Sequence, residues 1–472
     1  MTRTGSAPRA TAVYRTRMPV PVEDLFDWHA RAGAFERLVP PWEDIRLVSR
    51  GAGFADGARW ELRARSPLPL TERWVAELRD VRRPTGFRDV QVEGPFGAWE
   101  HEHRMEAASI AEGRGSSWLE DRIAFAPPFG ALGRLAAPFV RRTLDRTFAY
   151  RHAVTRDDLA QIASLEGLAP MKILVTGASG LVGSALVPFL SAAGHDPVRA
   201  VRGAARRGDV AWNPAERQMD PGALAGVGAV VHLAGENVAG GRWTSDVKAR
   251  IRASRVEGTS LVARTIAHAV AIDPATAPRV LVCASAVGFY GDGGDAVLDE
   301  TGARGDGFLA EVCEAWERAA DPAREAGVRV VHVRFGVILS PRGGALAKLL
   351  PPFRAGVGGV LGSGRQWMPW ISIDDTVGAI LHAIATDALD GPVNVVSPEP
   401  ATNRTFTKAL GRVLSRPTLF PVPAFAARLA FGQMADEMLL TGARAVPRRL
   451  EQTGYTFRHR DVESALRHVL GR

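Results

Sequence analysis

The chain has 472 residues, 46% hydrophobic and 23% charged, with 59 basic against 51 acidic side chains and a formal charge of +8. That length exceeds a single hydrophobic core and predicts two or three domains, and the composition excludes extended disorder. Four of the cations are lysines (Lys172, Lys248, Lys348, Lys408) and the arginines are scattered, so the charge reads as solvated and no nucleic-acid partner is expected.

The two cysteines, Cys283 and Cys313, fall in predicted core segments, so neither a disulfide framework nor a thiolate metal cluster is implied. Residues Met1 to Arg17 carry arginines and small residues but no apolar run, and no stretch of about eighteen apolar residues occurs anywhere. These features predict a cytoplasmic protein without a membrane span.

In chain order, Thr11–Met18 alternates like a half-buried strand, and Pro21–His29 begins a helix with proline in its first turn and acids near its start. Residues 58–64, 73–78, 86–92, 98–105 and 117–123 then read as antiparallel strands, and a helix is predicted near Leu132–Ala160. The run Phe87–Phe96 followed by Trp99-Glu100-His101-Glu102-His103 resembles the helix-grip ligand-binding family that includes START domains and polyketide cyclases. The resemblance implies an α+β domain over residues 1–165 with an apolar cavity, and hence an apolar ligand, between sheet and helix. His101 and His103 alternate onto one strand face. With no Cys or carboxylate at ligand spacing beside them, they read as a polar strand face and no metal site is expected.

Gly167-Leu168-Ala169-Pro170 is a linker, and Met171 reads as the start of a formerly separate protein. Met171–Val175 is a buried strand running into a turn with glycines at 177, 180 and 183, and a helix is predicted from about Val182. One glycine permits the sharp turn, one lets the backbone approach a pyrophosphate, and one lets helix pack on strand; the helix N-terminus then faces the anion. Gly177, Ser179, Gly180, Leu181, Val182 and Gly183 are therefore assigned to a dinucleotide. The next strand, His195–Arg202, ends in Arg202, where an acid would be expected for a ribose hydroxyl. Arginine there suits a phosphate, so NADP(H) is expected over NAD(H), with a solvated loop arginine as the alternative. Ala229–Asn237 is a further strand whose end, Leu233-Ala234-Gly235, lets the nicotinamide-side ribose approach; His232 within it reads as a satisfied core histidine.

Arg279–Ser285 leads into Ala286-Val287-Gly288-Phe289-Tyr290-Gly291, and later come Arg334–Ser340 and Trp370–Asp375. Together these pieces resemble the extended short-chain dehydrogenase/reductase superfamily, in its NAD(P)-dependent epimerase/dehydratase-like branch. Gly235-Glu236-Asn237-Val238, Phe308–Glu317 and Gly364–Trp370 are similar to an atypical sub-group of it. The resemblance implies a Rossmann-type α/β doubly wound parallel sheet over 171–472, with a helical subdomain from about 415. It also implies a small-molecule substrate and is compatible with a homodimer.

One departure limits what carries over. The superfamily's tyrosine is activated by a lysine four residues on, but none of the four tyrosines here has one, and the expected pair falls on Phe308 and Val312. Ser285 and Tyr290 remain to polarise a substrate, and Glu311 stands one turn from the vacant place as a substitute acid or base, or else as a solvent-facing carboxylate. Residues 341–370, with Trp367 and Trp370, are expected to form the lip of the substrate pocket along with Arg334, or to pack between subdomains. The leading reading is an oxidoreductase or epimerase acting on a carbonyl or sugar-like substrate. The alternative is a non-catalytic NADPH-responsive sensor.

Overall fold

The computed structural model describes residues 10–65, 71–113, 115–127, 137–165 and 167–472. The chain divides into two compact units, the main break falling between residues 166 and 167.

In the first unit, β1 (Ala10–Met18), α1 (Val22–Ala30) and α2 (Ala34–Leu38) precede β2 (Ile45–Ser49), β3 (Arg59–Arg65), β4 (Thr71–Arg82), β5 (Gly86–Glu93), β6 (Ala98–Ala107) and β7 (Ser117–Ala126). The strands form one antiparallel sheet in the order β1-β7-β6-β5-β4-β3-β2. The long helix α3 (Ala137–Ala163) follows; the predicted start near Leu132 lies outside the described residues. β2 escaped the sequence reading because it is short and none of its five residues is buried.

Period-two alternation puts one face of β6 and β7 inside: Trp99, His101, His103 and Met105 on one strand, Leu119, Asp121, Ile123 and Phe125 on the other. Apolar side chains cluster at both ends of this face, Phe87, Met105 and Leu119 with Leu159 at one and Trp99, Ile123 and Phe125 with Phe148 at the other. Between them the lining expected to be apolar carries instead a belt of buried polar side chains, His101, His103 and Asp121 from the sheet and His152 from α3.

The second unit is built on β8 (Lys172–Thr176), β9 (Asp196–Val201), β10 (Val210–Asn213), β11 (Gln218–Met219), β12 (Val227–His232), β13 (Val280–Ala286), the two-residue β14 (Val297–Leu298), β15 (Arg329–Phe335), β16 (Val337–Leu339), β17 (Trp367–Met368), β18 (Trp370–Ser372) and β19 (Gly391–Val395). Its main sheet runs β11-β10-β9-β8-β12-β13-β15-β19 and is parallel except for the pairing of β10 with β11. The central strands are continuous apolar runs such as Ile173-Leu174-Val175, as both faces of a covered parallel sheet require. The chain moves one way from β8 to β9 and then returns to place β12 on the other side, so the strand order reverses at β8. A ligand cleft is expected at the carboxyl ends of strands at such a switch point.

Helices α4 (Leu181–Ala192), α5 (Ser245–Ile272) and α6 (Phe308–Arg318) fill the crossovers. The helical segment expected from about residue 415 packs its last helix, Val462–Leu470, against the preceding elements. Val462, Leu466 and Leu470 of its last helix share one core with Leu346, Phe353, Phe406 and Trp370. No helix among the described residues is long and apolar enough to cross a membrane.

Candidate dinucleotide site and the adjoining buried network

β8 ends at Thr176 and the chain turns through Gly177, whose φ is +66°. A methyl group at Gly177 would meet the backbone of Leu233 and Ala234 at 2.9 Å. One at Gly183 would collide with the Gly177 carbonyl and the Ala178 backbone, so glycine there lets α4 pack on the turn. Gly180 has a single neighbour, Gly177 O at 3.2 Å, and opens toward solvent beside exposed Ser179. The helix begins at Leu181, one residue before its predicted start, and aims its free N–H groups at this opening.

Thr176 ties the two strand ends together. Its Oγ1 accepts from Leu233 N at 3.1 Å and Ala234 N at 3.3 Å, and lies 2.8 Å from His232 Nδ1. With the backbone N–H groups donating to it, the hydroxyl gives its own proton to His232, which burial holds neutral with a pKa lowered to about 4. His232 is thus a core histidine that fixes the Leu233-Ala234-Gly235 edge. Arg202 follows β9 directly and is exposed, as are Arg206 and Arg207 beyond it.

Three residues expected in the substrate region, Ser285, Tyr290 and Arg334, meet in one buried network. Ser285, Arg334 and Asn394 stand side by side in register on β13, β15 and β19. Ser285 Oγ donates to Glu317 Oε1 at 2.7 Å, and Arg334 grips the same carboxylate through Nε and Nη2, both at 2.8 Å. Arg334 Nη1 donates to Tyr290 Oη at 3.0 Å; that hydroxyl lies 2.8 Å from Asn394 Oδ1 and 3.0 Å from Asp299 O, and its guanidinium stacks 3.5 Å from the Phe289 ring centroid. The sequence reading missed Glu317 and Asn394, because a carboxylate near the end of a helix and an amide in an apolar strand carry no local signal.

This geometry corrects two assignments. Tyr290 is 2% exposed with its hydroxyl wholly engaged, so it locks Arg334 and does not face a substrate. Trp370 is 1% exposed, gives Nε1 to Glu399 O at 3.2 Å and belongs to the core, not to a pocket lip. Trp367 is half-buried, with Nε1 on Asp295 Oδ1 at 2.9 Å and Arg444 over its ring. Glu311 is exposed in the first turn of α6, away from the Ser285 network at the other end of that helix. Phe308 and Val312, at the vacant Tyr–Lys places, pack with Trp243, Ile251 and Met434. Lys248 Nζ lies 5.4 Å from the Phe308 ring and donates to Gln433.

A Rossmann unit with a glycine turn at its switch point, preceded by an α+β unit of antiparallel sheet and long helix, defines a dinucleotide-binding type of fold joined to a helix-grip domain. Comparison with known proteins makes this specific. Residues 173–396 match the NAD dependent epimerase/dehydratase family, residues 18–149 the polyketide cyclase/dehydrase and lipid transport family, and residues 422–469 a domain of unknown function. An epimerase family protein of Mycobacterium bovis is 46% identical over 64% of this chain and 98% of its own length. The human epimerase family protein SDR39U1 is 34% identical over 64% of this chain and all of its own. The chain belongs to the epimerase family these proteins represent.

Two solved structures extend the comparison. One is described as a nucleoside-diphosphate sugar epimerase from Corynebacterium glutamicum, with 32% identity, a TM-score of 0.79, and coverage of 98% of this chain and 90% of that one. The other is human SDR39U1 with NADPH, with 34% identity, a TM-score of 0.57, and coverage of 63% of this chain and 99% of that one.

Proposed function

We propose that the second unit binds NADP(H) and serves hydride transfer to or from a carbonyl or sugar carbon of a small substrate, while the first unit holds an apolar ligand. The observation that carries the cofactor choice is Arg202, exposed immediately after β9 where an acid would select NAD(H). The NADPH in the structure of the human relative supports the same choice. The fit is steric as well: the glycine turn is open at Gly180 and closed everywhere a side chain would obstruct it. Gly177, Ser179, Gly180, Leu181, Val182 and Gly183 would hold the pyrophosphate, Arg202 the 2′-phosphate, and Leu233, Ala234 and Gly235 the nicotinamide-side ribose.

The nucleotide, when bound, supplies the hydride chemistry. The chain supplies the proton. Ser285 Oγ can exchange a proton with a reacting oxygen on one side and with Glu317 on the other, and Arg334 holds that carboxylate in place through two hydrogen bonds. Glu311, exposed at the far end of α6, has no such partner geometry.

A second reading is favoured by two observations: Ser285 is 2% exposed, and the vacant Tyr–Lys places are packed with apolar side chains. On that reading the chain is an NADPH-responsive binding protein without turnover. Calorimetric titration with NADPH and NADH, repeated with Arg202→Ala, tests the shared premise. NADPH should bind more tightly than NADH and lose tenfold or more in the variant, about 1.4 kcal/mol. Equal affinities unaffected by the variant would reject the NADP(H) assignment. Oxidation of bound NADPH by a panel of carbonyl compounds then separates enzyme from sensor.

A further inference from the structure

Away from the nucleotide site, the densest gathering of titratable side chains lies inside the first unit. Antiparallel register puts Asp89 directly opposite His101 and Asp121 directly opposite His103. Asp89 Oδ2 lies 3.0 Å from His101 Nδ1 and 3.5 Å from His103 Nε2. On the other side of the rings, Asp121 Oδ1 lies 3.0 Å from His101 Nε2 and 2.7 Å from His103 Nδ1. We propose that Asp89, His101 and His103 bind a divalent first-row transition-metal ion, with Asp121 orienting the two imidazoles.

The spacing is that of a ligand set. One donor atom from each of the three residues can be chosen so that all lie within 4.8 Å of one another. Metal bonds of about 2.1 Å put neighbouring ligand atoms roughly 3.0–3.4 Å apart in octahedral or tetrahedral geometry; the Asp89–His101 distance of 3.0 Å falls in that range and the Asp89–His103 distance of 3.5 Å just above it. Two histidines and one carboxylate are a donor set suited to zinc or ferrous iron, and they leave coordination positions for water or a ligand oxygen.

The outer partners fit as well. A metal-bound histidine gives its second ring N–H to a carboxylate or carbonyl, and here a single carboxylate, Asp121, faces the second nitrogen of both rings. Asp121 is held in turn by His152 Nε2 at 2.7 Å, whose Nδ1 meets Thr16 Oγ1 at 2.8 Å. The other oxygen of Asp89 accepts from the Trp99 indole at 3.3 Å. His103 Nδ1 approaches Asp121 Oδ1 to 2.7 Å without an aligned hydrogen bond among the described residues, and its ring packs between those of Phe87 and His101, with centroids 4.0 and 3.9 Å away.

The side chains of His101, His103 and Asp121 are at most 9% exposed, whereas that of Asp89 is 21% exposed, so the ion would arrive past Asp89.

The test uses the full-length, untagged chain, stripped with a chelator and titrated with Co²⁺ and then Zn²⁺. One equivalent of Co²⁺ should bind per chain with visible d–d absorption, and Zn²⁺ should displace it. Asp89→Asn and His103→Ala should abolish the absorption. Asp121→Asn should weaken binding about 10–100-fold, with near-ultraviolet circular dichroism as the check that the first unit is folded. A wild-type chain that takes up no stoichiometric ion would show the cluster to be held by protons alone and overturn the proposal. Undiminished binding in folded Asp89→Asn and His103→Ala would overturn it equally, by placing the ion elsewhere.

Discussion

Ser285 and Glu317 are joined by a 2.7 Å hydrogen bond in a setting from which solvent is nearly excluded, and the carboxylate is shared with the bidentate guanidinium of Arg334. A buried charge pair of this kind is costly to break from one side only. Arg334→Met should therefore destabilise the second unit by about 3–5 kcal/mol, because it leaves Glu317 uncompensated. Ser285→Ala, which removes one donor and leaves the ion pair, should cost only about 1–3 kcal/mol. Urea unfolding of the two variants checks the order. If Ser285 carries the proton, the milder variant should nonetheless lose turnover while NADPH affinity holds.

The three glycines of the turn should not be equivalent. Gly183→Ala forces a methyl group into backbone atoms that cannot yield, and Gly177→Ala adds a left-handed φ of +66° to a backbone clash. Both should weaken NADPH binding and lower the melting temperature. Gly180→Ala meets one carbonyl oxygen at 3.2 Å, so the fold should survive and only nucleotide affinity should fall. Thermal melts with and without NADPH separate these outcomes.

Restoring the missing residue pair should fail for a steric and dielectric reason. Phe308 is half-buried, and Phe308→Tyr should change stability by less than about 1 kcal/mol. Val312 is 1% exposed in an apolar cluster, so Val312→Lys must desolvate an ammonium and should cost several kcal/mol, roughly 3 or more. Chemical denaturation of the single and double variants measures this, and no gain in turnover is expected from the pair.

The second unit should be acid-labile. Burial lowers His232 and His332 to about 4 each, against 6.5 for the free side chain. Below pH 6.5 the unfolded chain binds protons that the folded chain refuses, so stability is full above 6.5 and is lost as the pH falls toward 4. The loss amounts to about 3 kcal/mol per histidine. Denaturation midpoints between pH 7.5 and 4.5 should fall accordingly, and His332→Leu should flatten the slope.

Legibility in the sequence followed the range of the interactions. The glycine turn, the strand before it, the helix after it and Arg202 lie within about thirty residues, and the roles proposed for them rest on local backbone geometry and steric need. The absence of a Tyr-x-x-x-Lys pair was equally plain. Tyr290 was misjudged because its neighbours Arg334 and Asn394 come from other strands, and only their shared register shows that the hydroxyl has no free capacity. Trp370 was misjudged for a related reason: sequence proximity to Trp367 suggested a common lip, but the core side chains that enclose it come from residues 339 to 470.

The amino-acid sequence by itself determined two folding units, their secondary-structure classes, and the position of the glycine turn, since periodicity, turn chemistry and glycine spacing act between near neighbours. Tertiary structure alone decided which polar groups meet. Asp89 and His101 are twelve residues apart, and Asp121 and His103 eighteen; it is the antiparallel register of β5, β6 and β7 that sets each aspartate against its histidine. Buried polar groups must find partners wherever the fold brings them, and that pairing across strands has no counterpart in residue spacing along the chain.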